Sequence, residues 1–176
     1  MVTNLKVCLK METNIIHEHL FTFDKIPKEY APYVEKFTNS SEFSERADFF
    51  RREKVYTKYT KGTYQYQEFW REERRRCWEG FSNSKGIRIT GQHYFYLNYV
   101  QIQSEIEDKK GVSRKVSDFP TFLDLDYYYF HIVEYCRKKG ISLCAVKGRR
   151  QGWSYKAAAI ASHEFNFERD SSTIIS

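Results

Sequence analysis

The side chains best suited to chemistry stand in one run: Lys147-Gly148-Arg149-Arg150-Gln151-Gly152-Trp153-Ser154. Cations, glycines and a hydroxyl packed this closely describe an anion site. Glycine lets the backbone approach phosphate oxygens, and a helix that begins just after the loop aims free N–H groups at the anion. The phosphate-loop pattern G-x-x-x-x-G-K-[ST] uses the same ingredients between a strand and a helix. Gly152 fits its second glycine. Ser154 fits its hydroxyl position, from which it would hold Mg²⁺. Two positions depart from the pattern: Trp153 stands where the lysine belongs, and Lys147 occupies the place of the first glycine. A cation must still neutralise the β- and γ-phosphates of a nucleoside triphosphate. Lys147 is the first candidate, Arg149 the second, and Arg150 lies on the same loop. The competing reading is an ordinary strand-to-helix turn with solvated arginines.

Such a loop needs a strand before it and a helix after it. Ile141 to Val146 is short and apolar and follows Gly140, which predicts a strand buried on both faces, as in a parallel sheet. Ser154 to Phe167 reads as an Ala-rich helix, and Thr173 to Ser176 as the start of a second strand, which would close a βαβ unit. Upstream, Phe122, Leu125, Tyr129, Ile132, Val133 and Cys136 mark one face of a helix running to about Lys138. Asp124 and Asp126 near its start and Arg137, Lys138 and Lys139 near its end match the helix dipole, and Gly140 is a good residue just past the end.

Further upstream, Tyr64 to Glu79 places Tyr66, Phe69, Trp70, Glu73 and Cys77 on one helical face, with Gly80 as the stop. The run Arg74, Arg75, Arg76 reads as a solvated face rather than a phosphate-binding stripe. Ile87 to Thr90 reads as a short strand. Gly91 to Tyr99 is so aromatic that periodicity leaves helix and strand both open. Val100 to Ile106 alternates apolar and polar, and Val112 to Val116 returns as the second strand of a hairpin. The first 60 residues predict short helices or an arm, with a flexible stretch of ten or so at the start.

Composition narrows the partners. The formal net charge of +6 suits a polyanion without naming one. Aromatics make up 18%, too many for a central core alone, so some rings belong at half-buried positions or an interface. Tyr56 to Tyr66 mixes rings with lysines and fits either stacking on single-stranded nucleic acid or, preferably, an interface. Cys8, Cys77, Cys136 and Cys144 include no CxxC pair, which argues against zinc and for reduced, packed thiols. His17 and His19 lack a metal-ligating neighbour at helical spacing, and His131 reads as a packed histidine. No stretch approaches the roughly 20 apolar residues that span a bilayer, so no membrane is expected.

The run VKGRRQGWSYKAAA resembles the deviant Walker A motif of the large terminase subunits of tailed phages. In that family the lysine often sits before the loop and an aromatic residue follows the second glycine. ITGQHYFYLNYVQI and FPTFLDLDYYYFHIVEY look like the segment that precedes the loop there, so the likeness spans roughly residues 69–176. The resemblance implies an ATPase, using ATP and Mg²⁺, that drives double-stranded DNA into procapsids in the host cytoplasm. It implies a portal protein and a small terminase subunit as partners, and a homo-oligomeric ring. It maps Lys147, Gly148, Arg149, Arg150, Gln151, Gly152, Trp153 and Ser154 onto the loop. It offers Phe119 and Asp126 as contacts to the base, with helix capping as the other reading of Asp126. The family's Asp-Glu pair at the end of a second apolar strand has no counterpart, since Glu164, Glu168 and Asp170 lie on or just past the loop's own helix.

The expectation is therefore an α/β fold. Residues 61–176 would form an incomplete P-loop NTPase domain (strand–loop–helix–strand) cut before its Walker B strand with the Asp-Glu pair. Residues 1–60 would form an extension or arm, with helical and β-hairpin elements leading into the loop. Such a piece would bind ATP weakly and turn it over poorly. The alternative is a basic nucleic-acid-binding module without NTP chemistry.

Overall fold

The computed structural model describes residues 6–10, 26, 28–107, 113–146 and 152–169. They divide into two compact units, each made from two stretches of chain. One comprises Met1–Thr38 and Leu123–Trp153, the other Asn39–Phe122 and Ser154–Ser176. The fold is mixed α/β, with helices and three two-stranded antiparallel pairs among the described residues.

The larger unit holds α1 (Glu45–Glu53), α2 (Tyr64–Glu79), the short pair β2 (Phe81–Ser82) and β3 (Arg88–Ile89), and α3 (Gly91–Tyr99). It also holds the hairpin β4 (Ile102–Glu107) with β5 (Ser113–Asp118), and all but the first residue of α5 (Trp153–Phe167). The boundary expected near residue 60 falls inside this unit, between α1 and α2. Helix α2 begins where the Thr63 hydroxyl accepts from the Tyr66 N–H, and ends where the Gly80 N–H donates to the Arg76 carbonyl. Its buried side chains are Glu73 and Cys77, on the face the spacing predicts.

Helix α3 settles the segment that periodicity left open. Thr90 caps it by accepting from the His93 N–H at 3.2 Å. Seven of its nine residues are buried, so no polar face exists to produce a 3.6-residue rhythm. Gly91 explains how the helix sits so close to α2. A Cβ there would overlap the Cys77 carbonyl oxygen and stand 2.7 Å from that of Trp78. Asn98, fully buried, ties this unit together: its Oδ1 accepts from the Arg46 and Ala47 N–H groups, both at 3.1 Å. Its Nδ2 donates to the carbonyls of Phe43 and Tyr94 at 2.8 and 3.0 Å. Those two N–H groups belong to the first turn of α1, where a helix has no partners of its own. Asn98 therefore caps α1 from a distant point in the chain. Arg51 fastens the other end of α1, donating to Asp118 at 2.8 Å and to the Phe119 carbonyl at 3.0 Å.

The smaller unit packs α4 (Asp124–Lys139) against β6 (Ser142–Val146), which pairs antiparallel with β1 (Lys6–Lys10). Ile132 and Cys136 form its core, with Ile26, Tyr30, Leu125, Tyr135, Ile141, Leu143, Ala145 and Trp153 around them. The acidic first turn and basic last turn of α4 are as expected, and Gly140 closes it in the left-handed region. Two expectations need correction. β6 is not buried on both faces: Leu143 and Ala145 turn to the core, while Ser142 and Cys144 are exposed. Among the described residues its partner is β1, antiparallel, rather than a parallel neighbour. Two strands make a ladder whose second face nothing described covers, so an all-apolar run ends up half exposed. The start of the chain, expected to be flexible, supplies that partner strand. The strand expected at Thr173 to Ser176 lies outside the described residues.

Candidate functional site

A strand and a helix flank the cationic run in the expected order. β6 ends at Val146 and α5 begins at Trp153. Lys147, Gly148, Arg149, Arg150 and Gln151, which carry the proposed cations, lie outside the described residues. Gly152 has φ of +63°, a backbone conformation that disfavours any side chain.

Trp153 accounts for the departure from the lysine pattern. Its ring lies 4.3 Å from that of Tyr129, inclined at 51°, within the core of the smaller unit. Burial pushes the Tyr129 phenol up to about 12, with the charge of Asp126 adding to the effect. The residue at the lysine position is thus a packing residue, and the phosphate charge would have to be met elsewhere on the loop. Ser154, in the first turn of α5, is exposed. Lys156, Ala159 and His163 form the buried face of α5. Their spacing of three and four is helical, and His163 Nε2 lies 2.6 Å from the Cys77 carbonyl oxygen. Lys156 is only 2% exposed; a buried lysine two residues past Ser154 was not among the sequence candidates.

The proposed base contacts fare differently. Phe119 is buried in the larger unit, its ring 5.7 Å from Phe50 and covered by the Arg51 guanidinium at 5.6 Å. That makes it a packing ring. Asp126 is buried in the first turn of α4, in the smaller unit, where its backbone N–H donates to the Leu123 carbonyl. The N-cap position of α4 is Leu123, so Asp126 is not the capping residue, while its place in the first turn fits the helix dipole. The two residues belong to separate units.

The arginine run on α2 is occupied by its own neighbours. Arg75 forks between Glu72 at 2.8 Å and Glu79 at 2.9 Å. Hydrogen bonds from Arg75 hold the Glu72 carboxyl at about 2, well below the usual range. Arg76, half buried, pairs with Glu72 at 3.0 Å and Glu73 at 3.2 Å. Glu73 is nearly enclosed and accepts from the Tyr94 hydroxyl at 2.8 Å and the Tyr99 hydroxyl at 2.6 Å. Burial, reinforced by the Glu73 charge, pushes both phenols up. This buried carboxylate with three donors is a feature the sequence signalled only as a polar residue on an apolar face.

The aromatic stretch from Tyr56 splits in two. Tyr56 packs against Phe50 at 4.6 Å and Tyr99 at 5.0 Å, while Tyr59 and Tyr64 are exposed. Tyr59 and Tyr64 line an open groove of about 360 Å³ with Glu45, Glu68, Glu72 and Glu73. Arg46 and Arg76 line the same groove, and Glu68, Glu72 and Glu73 are paired with arginines of α2. His131 is buried, 4.5 Å from the Tyr127 ring, as a packed histidine should be. His17 and His19 lie outside the described residues. Among the described residues no cluster of metal-ligating side chains occurs, and no helix is long and apolar enough to cross a membrane. Comparison with family models, with curated proteins and with solved structures finds no match to the chain.

Proposed function

We propose that residues 141–159 form the phosphate-binding half of an ATPase site of the kind found in phage large terminase subunits. The observation that supports this best is the junction at Gly152. A strand leads toward the cationic run, Gly152 takes a positive φ, and a 15-residue helix follows with Ser154 exposed in its first turn. In this reading Lys147, with Arg149 and Arg150, neutralises the β- and γ-phosphates, which frees Trp153 to pack on Tyr129. Gly148, Gln151 and Gly152 line the phosphates with backbone, and Ser154 holds Mg²⁺. The larger task is the packaging of double-stranded DNA, with a portal protein, a small terminase subunit and further copies of the chain as partners. The antiparallel β1–β6 pair is not the parallel core of a P-loop NTPase, so the reading rests on the loop and helix rather than on the sheet.

Titration of Mg²⁺·ATP into the full chain, followed by calorimetry, tests the proposal. Weak binding that disappears in Lys147→Ala and loses its Mg²⁺ dependence in Ser154→Ala supports it. Heat of binding that is unchanged in Lys147→Ala removes the assigned cation, and no binding at all removes the site.

A further inference from the structure

The pairing of β1 with β6 sets Cys8 directly opposite Cys144. Directly opposed residues in an antiparallel ladder share a face, with Cα atoms about 4.5 or 5.5 Å apart according to the hydrogen-bonding pattern. Both spacings fall within the range of about 4.4–6.8 Å that a disulfide spans. The face is the accessible one. Leu143 and Ala145 turn into the core against α4, which leaves Cys144 exposed between them. The register pairs it with Cys8.

The two remaining cysteines are set apart. Cys77 is buried in the larger unit and Cys136 in the core beneath β6. Burial pushes both thiols up, Cys136 to about 11, so little of either is thiolate at neutral pH.

We propose that Cys8 and Cys144 are a redox modification site that closes to a cross-strand disulfide by exchange with a low-molecular-weight disulfide. The Cys144 thiolate attacks one sulfur of the small disulfide. A mixed disulfide forms, the external S–S bond breaks, and one small thiolate leaves and takes up a proton. Cys8 then gives up its proton, attacks the Cys144 sulfur and displaces the second small thiol. The cysteine pair loses two electrons and two protons, and the small disulfide gains them as two thiols. Closure ties the first strand of the chain covalently to the strand that leads into residues 147–151. The inference stands on the strand register and is independent of the ATPase reading.

The test is incubation of the full chain with oxidised glutathione at neutral pH. Denaturation in an alkylating agent and peptide mapping follow. The expected result is a Cys8–Cys144 linked peptide, with Cys77 and Cys136 alkylated and dithiothreitol restoring all four thiols. Cys8→Ser should stop at a stable glutathione adduct on Cys144, and Cys144→Ser should yield no internal bridge. A wild-type adduct on Cys144 that never resolves, or a bridge that includes Cys77 or Cys136, overturns the proposal.

Discussion

Glu73 is the residue whose loss should tell most about the larger unit. Its carboxylate, 3% exposed, holds two tyrosine hydroxyls and one guanidinium on α2 and α3. Glu73→Gln keeps the shape but removes the charge. Hydrogen bonds to a charged acceptor are worth about 1.5–3 kcal/mol and neutral ones about 0.5–1.5 kcal/mol. Downgrading three such contacts by roughly 1 kcal/mol each predicts a loss of about 2–4 kcal/mol. Glu73→Ala strips the partners altogether and should cost about 3–5 kcal/mol, the range for orphaning a buried ion-pair partner. Tyr99→Phe removes a single donor and should cost about 1.5–3 kcal/mol. Urea unfolding followed by the fluorescence of Trp70 and Trp78, both in this unit, measures each. The double mutant Glu73→Gln with Tyr99→Phe should show coupling of about 1 kcal/mol or more, since the two side chains are in direct contact. The phenols supply a second readout. Their folded values lie above the unfolded value of about 10. The stabilisation is therefore complete below that pH and is lost as pH rises through the folded values. Phenolate absorbance from Tyr94 and Tyr99 should appear only as the unit unfolds in alkali. If Glu73→Gln and Glu73→Ala both stay within about 0.5 kcal/mol of the parent, the ordinary range for an inconsequential surface change, the network contributes nothing and the reasoning fails.

Two further outcomes follow from neighbouring residues. Asn98→Ala should cost about 3 kcal/mol or more, because two N–H groups and two carbonyls lose a fully buried partner together; hydrogen exchange should quicken first at Arg46 and Ala47. Glu72 is held at about 2 by Arg75 and Arg76, so its contribution is present above its unfolded value near 4.5 and fades as pH falls from there toward about 2. Its side chain is 41% exposed, so solvent screening reduces the effect to about 1 kcal/mol. Glu72→Gln should lower stability at neutral pH by that amount and leave stability below pH 2 unchanged in acid denaturation.

Local signals in the chain were legible where one element carried its own punctuation. Tyr64 to Glu79, with Thr63 before it and Gly80 after, appears as a helix with those bounds. Asp124 to Lys139 likewise shows its charges at the matching ends. The β4–β5 hairpin follows the alternation seen from Val100. What escaped depends on distant partners. Nothing near Asn98 announces that it caps a helix some 50 residues earlier. β6 is apolar enough for a doubly buried strand, yet which strand pairs with it is decided by residues 6–10, where three apolar residues between Lys6 and Lys10 are too few to stand out from an ordinary terminus. Trp153 looked like a defect in the loop because its role is packing on Tyr129, which the motif does not encode. The arginine run, read as a solvated face, is solvated at Arg75 but not at Arg76, which is half-buried against Glu73, a partner that charge pattern does not reveal.

The β1–β6 ladder also has a history within each act of synthesis. Lys6 pairs with Val146, so the first strand emerges from the ribosome 140 residues before its mate. At about 5–20 residues per second, that is an interval of roughly 7–28 s. Throughout it, the backbone donors and acceptors of β1 are open to any other extended chain nearby. Lys6 and Lys10, at the two ends of the strand, are the kind of charge that discourages such wrong pairing. The smaller unit is thus a structure that the nascent protein can complete only late, and its first strand is equipped for the wait.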